Sequence, residues 1–381
     1  MIQDILPVTV ATTSTKVLVW QWGRHGAMPR FAALLAEALR ILPGVEVILS
    51  LSSGAELLRT AMPPRCELPV DTYDGPIGCV LRLAGAPFTI SELTRRIETE
   101  RPEIAICIHQ GPLDPLMTTV LRRLRVPFVA LVHDADTHPG DGFPFQMLVQ
   151  RFVCRQAAAI GVLTSYVGEQ LLAQGLAGTA ARPLIHLSHP PIAFHMPVIP
   201  RRRDGDLHLL MFGRLLAYKG LDLLAIALKR LGPTERLKVR VVGTGPDSAA
   251  LRDLQTLPGV TVENRWVPED EIGALLAWSD ALILPYREAS QSGVAAAALA
   301  AGRWIVATRV GGLPEQLGDS AQVILCEPEE ASLTTGLRVL MNKPRAIQDT
   351  MVSAMKSDVA WRGMAASLMQ QIVMLGLLPR K

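Results

Sequence analysis

The 381-residue sequence is poor in cysteine and aromatic residues, lacks a long apolar run and has almost no excess of charge of either sign. Its five cysteines are odd in number and never spaced C-x-x-C, which disfavours a zinc ribbon and a disulfide framework. We therefore expect buried thiols in a reducing cytoplasm. No run reaches the roughly 18 apolar residues of a transmembrane helix, so the sequence predicts no membrane span.

The charge balance is close to neutral, with 38 basic residues, 35 acidic residues and a formal net charge of +3. Without a basic stripe, this balance disfavours a nucleic-acid partner. Asp4 precedes any apolar run and no basic segment comes before it, so no signal peptide is expected. We expect a cytoplasmic protein. The mean hydropathy of +0.27 is high for a soluble chain and leaves peripheral contact with the inner face of the cytoplasmic membrane open.

Short β-rich apolar runs alternate with segments of helical periodicity along most of the chain. The predicted strands are residues 17–22, 45–51, 104–109, 128–133 and 159–163, and then 207–212, 237–242, 260–263, 281–284, 304–308 and 322–325. Continuous apolar strands that alternate with helices indicate parallel sheets covered on both faces. The predicted fold class is therefore α/β, with two Rossmann-like doubly wound domains.

The alternation is interrupted by a segment rich in proline, glycine and charge, which we interpret as a linker over residues 191–206. It separates a first domain, residues 1–190, from a second, residues 207–357. Three consecutive arginines at 201–203 favour a solvated linker over a contact with anionic lipid headgroups. Because ligands bind outside the carboxyl ends of parallel strands, the cleft between the two domains is the expected site.

The most informative motif, Gly213-Arg214 followed by Lys219-Gly220, comes directly after the first strand of the second domain. An arginine and a lysine at the carboxyl end of a strand can neutralise a diphosphate, the arginine by a bidentate fork and the lysine as a point charge. A reaction whose leaving group is a nucleotide diphosphate needs that stabilisation. The alternative is a solvated loop that caps the next helix.

Three further segments follow strands of the second domain. Gly243 and Gly245 lie in a V-G-x-G-P sequence, which by itself only indicates a tight turn. The run Gln291-Ser292-Gly293 precedes an alanine-rich helix, whose free N–H groups can hold an anion, although ordinary N-capping needs the same serines. The fourth segment, V-G-G-L-P-E at 310–315, either admits a ligand close to the backbone or makes a turn.

Taken in order, these segments resemble the second domain of GT-B glycosyltransferases of the group 1 family, which use nucleotide-sugar donors. The family patterns match residues 213–220, 242–246, 285–302 and 310–315. Residues 358–381 resemble the family's closing helix, which crosses back to the first domain. The resemblance implies a first domain that binds the acceptor and a second that binds the donor. The donor-binding residues that it implies are Gly26, Gly213, Gly243, Gly245, Trp266, Val267, Glu288, Ser290, Gln291, Ser292, Gly293 and Val294.

The sequence departs from the family where two glutamates usually stand. The aligned residues are Ala289 and Ala297, and Glu288 lies one position early. The second glutamate, which in the family holds the donor ribose, is therefore absent. The Gln-Ser-Gly-Val form of the loop resembles a subgroup associated with polysaccharide assembly, in which Ser290 and Gln291 are expected to take over sugar and phosphate contacts. We make no prediction of the stereochemical outcome.

In the first domain, four of the five candidates for catalysis or acceptor binding are histidines, and two of these end predicted strands. His133 is predicted to be catalytic together with Arg214 and Lys219, since it ends a strand on the cleft side and matches the family's strand-end histidine. The candidates for binding the acceptor are His25, His109, Asp134 and His138. A structural role is the alternative for each of these histidines.

The sequence therefore predicts a hexosyltransferase that moves a sugar from a nucleotide diphosphate sugar to a saccharide acceptor, expected to be lipid-linked, in polysaccharide biosynthesis. The resemblance implies no metal and no cofactor, because Arg214, Lys219 and helix N-termini replace the metal. Two alternatives stay open at this point. One is a sugar-nucleotide epimerase of the same fold, and the other is a non-catalytic, glycosyltransferase-like partner protein.

Overall fold

The computed structural model describes residues 14–143, 145–197, 205–232, 236–343 and 350–378. The arginines at 201–203 and Asp4 lie outside these ranges. The elements of the first half are β1 (Thr15–Gln21), α1 (Ala27–Arg40), β2 (Val45–Leu51), α2 (Gly75–Ala84), α3 (Ala86–Glu100), β3 (Ile104–Cys107), α4 (Asp114–Leu124), β4 (Phe128–Val132), α5 (Gln146–Gln156), β5 (Ala159–Val162), α6 (Ser165–Ala173) and β6 (Leu184–His186).

The second half repeats the alternation. Its elements are β7 (Leu207–Phe212), α7 (Leu221–Leu231), β8 (Leu237–Gly243), α8 (Ala249–Gln255), β9 (Val260–Asn264), α9 (Glu269–Trp278), β10 (Ala281–Leu284), α10 (Gly293–Ala300), β11 (Trp304–Thr308), α11 (Leu313–Leu317), β12 (Val323–Cys326), α12 (Glu330–Met341) and α13 (Thr350–Met374). The strands β2, β7, β10 and β11 have the predicted bounds. The strand β6 and the helices α2 and α11 were not predicted.

Each half forms a parallel sheet of six strands within the described residues, in the orders β2-β1-β3-β4-β5-β6 and β12-β11-β10-β7-β8-β9. The predicted α/β class with two Rossmann-like domains is confirmed. The chain direction across the sheet reverses between β1 and β3 and again between β7 and β10. Such switch points leave a crevice at the carboxyl edge of a parallel sheet, so the topology places a crevice in each domain.

Helix α13 packs against α1 of the first domain, and Trp361, Ala365 and Leu368 are buried there in one core with β1 and β2. The helix covers Thr350–Met374, within the helical segment predicted over about 346–375. The preceding boundaries at 190, 206 and 357 stay predictions. No helix in the described part of the chain is long and apolar enough to cross a membrane.

The first part of the predicted linker is packed. Ile192 is buried, and the Pro191 carbonyl oxygen accepts hydrogen bonds from Ser357 Oγ at 2.7 Å and Trp361 Nε1 at 2.9 Å. The Ile192 amide donates to the carbonyl oxygen of Ala296 in α10 at 3.1 Å. The segment therefore fastens α10 of the second domain to α13, and through α13 to the first domain.

Helix α2 differs from every other helix of the first domain because none of its ten residues is buried. Its sequence is nonetheless apolar, and Ile77, Val80 and Leu81 are 77%, 66% and 67% exposed. Phe88, at the start of α3, is 84% exposed beside it. Exposed apolar patches of this kind mark interaction sites. A groove of about 780 Å³ runs along this helix to Arg24, in the glycine loop after β1.

Candidate active site

The loop between β7 and α7, residues 213–220, lies at the switch point of the second sheet. Gly220 ends this loop with a φ of 70°, and a Cβ atom there would lie 1.7 Å from the carbonyl oxygen of Pro285. Only glycine allows the loop to lie so close to the segment that follows β10. On the other side, a Cβ atom at Gly243 would lie 1.6 Å from the carbonyl oxygen of Gly213. Gly220 and the predicted donor-binding residues Gly213 and Gly243 thus allow three strand-end loops to pack closely together.

Lys219 lies in the middle of this assembly and is partly buried. Its Nζ atom is 3.7 Å from the ring centroid of Tyr286 and 4.9 Å from that of Tyr218. Burial, together with the positive charge of Arg214, lowers the pKa of Lys219 to about 7, and the charge of Asp134 only partly opposes them. An ammonium group without a close carboxylate is poised to meet an anion from outside the chain.

Arg214 contacts the first domain directly. Its Nη1 atom donates to Asp141 Oδ1, and Tyr218 Oη donates to Asp141 Oδ2 at 3.1 Å. Asp141 belongs to the loop after β4, so this contact joins the two domains across the cleft. The guanidinium group predicted to bind a diphosphate is paired with a carboxylate of the same chain.

His138, from the same loop after β4, forms a second bridge between the domains. Its ring stacks on Tyr218 at 4.6 Å, its Nε2 atom lies 3.3 Å from Asp134 Oδ1, and its Nδ1 atom lies 3.4 Å from Glu288 Oε2. The hydrogen bond with Asp134 raises the pKa of His138, although burial opposes the rise. Burial would raise the pKa of Asp134, but the hydrogen bond and charge of His138 and a hydrogen bond from Ser290 lower it to about 2. Asp134 is therefore ionised at neutral pH.

His133 and Gln291 meet between the two carboxyl edges. Gln291 Nε2 contacts His133 Nδ1, and the His109 ring lies 6.0 Å from the His133 ring. Burial, followed by the charges of His109 and His189, lowers the pKa of His133 to about 3, so its imidazole is neutral at pH 7. Burial also lowers the pKa of His109. Gln291 Oε1 and His109 Nδ1 are buried without a hydrogen-bond partner among the described residues, which leaves them available for a polar ligand.

The start of α10 closes this part of the cleft. Ser292 caps the helix by accepting from the Ala295 amide at 3.2 Å, and the Ser292 amide donates to Gln316 Oε1 at 2.8 Å. N-capping, the alternative weighed for these serines, therefore holds for Ser292. Gly293 faces the start of α1, since a Cβ atom there would lie 3.4 Å from the Ala27 Cβ atom. Two helix N-termini thus approach each other across the cleft.

Trp266 and His25 face each other at the far end of the cleft, with ring centroids 5.6 Å apart. Both side chains are exposed, and the Nδ1 atom of His25 lies 3.4 Å from Glu56 Oε2. Below them, Arg30 of α1 pairs with Glu269 of α9. Gly26 and Val267 lie next to this pair of rings in sequence, apart from the cluster around Lys219. The predicted residues therefore form two groups, one at each end of the cleft.

Two family models match the chain. One, described as glycosyl transferases group 1, matches residues 206–343, and the other, described as a glycosyl transferase 4-like domain, matches residues 26–185. Together they cover the second sheet, the first sheet apart from β1 and the end of β6, and most loops of the cleft. The chain belongs to the group 1 glycosyltransferases and has the GT-B fold.

Known proteins agree with this assignment. The chain is 27% identical over 263 residues to a glycogen synthase from Mycobacterium tuberculosis, a match that covers 64% of this chain and 62% of that protein. The chain therefore spans less than two thirds of that relative. Sucrose-phosphate synthase from Thermosynechococcus elongatus has the same fold, with a TM-score of 0.67 at 14% identity over 95% of this chain and 99% of that one. A UDP-GlcNAc 2-epimerase from Neisseria meningitidis has a TM-score of 0.58 at 10% identity over 95% and 100%.

This group 1 glycosyltransferase buries both residues that replace the usual glutamates. Ala289 is 4% exposed and Ala297 is 1% exposed, and both pack in one core with Tyr286 and Leu284. The methyl group of Ala297 therefore fills a place in the core rather than contacting a ligand. The nearest carboxylate in the sequence, Glu288, is exposed and faces His138.

Several contacts of the glycosyltransferase site were not predicted. Asp141 and Tyr218 contact Arg214, but no spacing rule connects loops of different domains. Glu315 accepts from the Ser165 amide at 2.7 Å and from Ser165 Oγ at 3.2 Å, so the glutamate of the V-G-G-L-P-E motif binds the first domain. The sequence did contain a signal for this contact. A glutamate next to a proline in the first turn of a helix has its side chain free to reach a neighbouring loop.

Proposed function

We propose that this group 1 glycosyltransferase moves a hexose from a nucleotide diphosphate sugar to a saccharide acceptor. The observation that carries the proposal is the convergence of Arg214, Lys219 and the N-terminus of α10 at one end of a cleft whose other wall carries His133. Cationic groups at that point stabilise the negative charge that develops on a departing diphosphate. We propose that they do so without a metal, so that transfer continues in excess EDTA.

We propose that Gln291 and His133 bind the transferred sugar. The orphaned Gln291 Oε1 atom can accept a hydrogen bond from a sugar hydroxyl, and the Nε2 atom of the neutral His133 imidazole, which has no partner among the described residues, can accept or donate one. Ser290, whose hydroxyl reaches Asp134, lies beside them and replaces part of the missing glutamate contacts. At the far end, the exposed Trp266 ring offers a face on which the nucleotide base can stack.

A panel of sugar nucleotides incubated with and without acceptors tests the proposal. We expect release of nucleoside diphosphate and a glycosylated product only when an acceptor is present, either a free oligosaccharide or a short-chain polyprenyl-linked one. Conversion of the sugar nucleotide without an acceptor would instead identify an epimerase. Binding of nucleoside diphosphate without turnover across the panel would identify a non-catalytic partner protein, as the buried alanines at 289 and 297 allow.

We propose further that the acceptor is lipid-linked and that the enzyme contacts the inner face of the cytoplasmic membrane through α2. Apolar side chains that project from a surface helix insert between lipid headgroups. The groove beside α2 is lined by Leu81, Phe88 and Arg24, and Arg24 directly precedes His25 of the cleft in sequence. We propose that an acceptor anchored in a bilayer reaches the site along this groove. The exposed apolar helix and the groove beside it support a lipid-linked saccharide as the acceptor, as used in polysaccharide biosynthesis.

The membrane contact predicts the behaviour of Ile77→Asp. We expect sedimentation with phosphatidylglycerol–phosphatidylcholine vesicles to fall at least fivefold, since a charged group in the apolar face opposes insertion. Ile41→Asp is the matched control, because Ile41 is also exposed, at 54%, but lies at the end of α1 away from α2. Equal sedimentation of wild type and Ile77→Asp, or equal losses in both variants, would contradict the role of α2.

A further inference from the structure

The loop after β4 presents an acidic side chain to the cations of the second domain. Asp141 lies in the sequence His-Pro-Gly-Asp-Gly, residues 138–142, which we call the 138–142 loop. Gly140 and Gly142 flank Asp141 with φ values of 78° and 89°, and the Gly142 amide donates to Asp141 Oδ1 at 2.8 Å. Both glycines have left-handed backbone conformations, and the turns they make direct the Asp141 carboxylate toward the second domain.

This carboxylate occupies the hydrogen-bond donors of the proposed diphosphate site. Its two oxygens accept from Arg214 Nη1 and from Tyr218 Oη, the latter at 3.1 Å. The Asp141 side chain is only 15% exposed, whereas the Arg214 side chain is 55% exposed. The carboxylate is therefore enclosed by its partners, while part of the guanidinium group stays accessible to solvent and to an incoming anion.

The rest of the 138–142 loop reinforces this position. His138 stacks on Tyr218, the same residue whose hydroxyl contacts Asp141, and faces Glu288 of the second domain. The loop thus touches the second domain through a ring, an imidazole nitrogen and a carboxylate. These contacts hold the cleft closed at the end that contains Lys219.

We propose that Asp141 is an internal competitor for the donor diphosphate and that donor binding displaces the 138–142 loop. The inference rests on the proposed function, in which Arg214 binds that diphosphate. A diphosphate and a carboxylate cannot both lie close to Arg214 without like-charge repulsion. The diphosphate carries more negative charge than the carboxylate and can accept two hydrogen bonds from the guanidinium group. It therefore displaces the carboxylate from Arg214 at sufficient concentration.

Displacement of the loop has a consequence for the order of binding. His138 loses its stacking on Tyr218 and its contact with Glu288 when the loop moves away. The face of the first domain that carries Asp134 and His138 then becomes open to the acceptor. Asp141 therefore couples donor entry to acceptor access, and the donor binds first.

Calorimetric titration of the full chain with UDP, GDP and ADP tests the proposal. For whichever diphosphate binds best, we expect Asp141→Asn to lower the Kd about threefold to tenfold, since the variant removes the competing charge but keeps the size of the side chain. Asp136→Asn is the matched control. Asp136 lies in the same connection and loses the same charge, but its carboxylate accepts from Gln174 of the first domain at 3.0 Å. Its Kd should equal that of wild type.

The outcomes separate this inference from the proposed function. Equal Kd values for wild type and Asp141→Asn, or weaker binding by the variant, would overturn the role of Asp141 as a competitor. Failure of all three diphosphates to bind either protein would instead overturn the donor site itself. Hydrogen exchange gives a second readout, because the amides of His138 and of residues 140–142 should exchange faster when the diphosphate is bound. Slower exchange would contradict displacement of the loop.

Discussion

Replacement of Lys219 by alanine should lower the turnover of sugar transfer about 100-fold to 1,000-fold, the effect of removing one charge-stabilising donor from an active site. Lys219 Nζ has aromatic rings of Tyr218 and Tyr286 around it and no carboxylate within ion-pair distance among the described residues. Its charge is therefore available to the departing diphosphate. The measurement is the steady-state rate of nucleoside diphosphate release with the acceptor identified in the panel.

The fold should survive this change. Burial lowers the pKa of Lys219 to about 7, well below its usual value of 10.5. At any pH below 10.5 the unfolded chain therefore holds the charged amine more favourably than the folded protein does, and this amine destabilises the folded state. Removal of the amine is expected to leave the midpoint of thermal unfolding at pH 7 unchanged or slightly higher. Lys229→Ala is the matched control, since Lys229 on α7 pairs with Asp253 at 2.7 Å and lies outside the cleft. Turnover near that of wild type for Lys219→Ala would refute the assignment of this loop.

Replacement of Gly220 by alanine should lower the free energy of unfolding by more than about 3 kcal/mol and abolish donor binding. Two effects add at this position. The φ of 70° is unfavourable for alanine, and the new methyl carbon would lie 1.7 Å from the carbonyl oxygen of Pro285. The loop that carries Arg214 and Lys219 must therefore move away from β10. Urea unfolding followed by circular dichroism, together with diphosphate titration, measures both effects.

Gly175→Ala separates backbone strain from the steric clash. Gly175 has a φ of 65°, close to that of Gly220, but a Cβ atom added there would have no neighbouring atom within 4 Å. This variant should lose only about 1 kcal/mol, the cost of a left-handed non-glycine residue. Similar losses in the two variants would show that the Gly220 loop relaxes freely, and would contradict the close packing on Pro285.

The fold could be predicted from sequence because its signals are local. Apolar β-rich runs such as Leu207–Phe212 and Trp304–Thr308 indicate buried parallel strands, and the structure has these strands with the same bounds. Helix α2 was not predicted, because two glycines and a proline stand among its first four residues, a composition typical of a loop. The three-residue strand β6 is too short to give a signal.

The site could be predicted only within each domain. The spacing of Arg214 and Lys219 after β7 placed both near the cleft, and His133 was placed at a strand end that faces it. The contacts across the cleft had no sequence signal, since the pairing of Asp141 with Arg214 joins residues 73 positions apart in different sheets. The burial of Ala297 in the core also depends on tertiary packing. The sequence shows only that Ala297 stands where the family usually has a glutamate.

The central claim is that the diphosphate of a nucleotide sugar lies against Lys219. In the ligand-free protein the pKa of Lys219 is about 7, so its amine is mostly neutral at pH 8. A bound diphosphate favours the charged form and raises this pKa. Binding therefore takes up a proton at Lys219, and the contribution of Lys219 to affinity falls as the pH rises above 7.

Calorimetric titration of the best-binding diphosphate at pH 8, in two buffers of different ionisation enthalpy, measures this uptake directly. Wild type should take up close to one proton per diphosphate bound, and Lys219→Arg, whose side chain is always charged, should take up about one proton fewer. The same proton count in both proteins would place the diphosphate elsewhere and contradict the account.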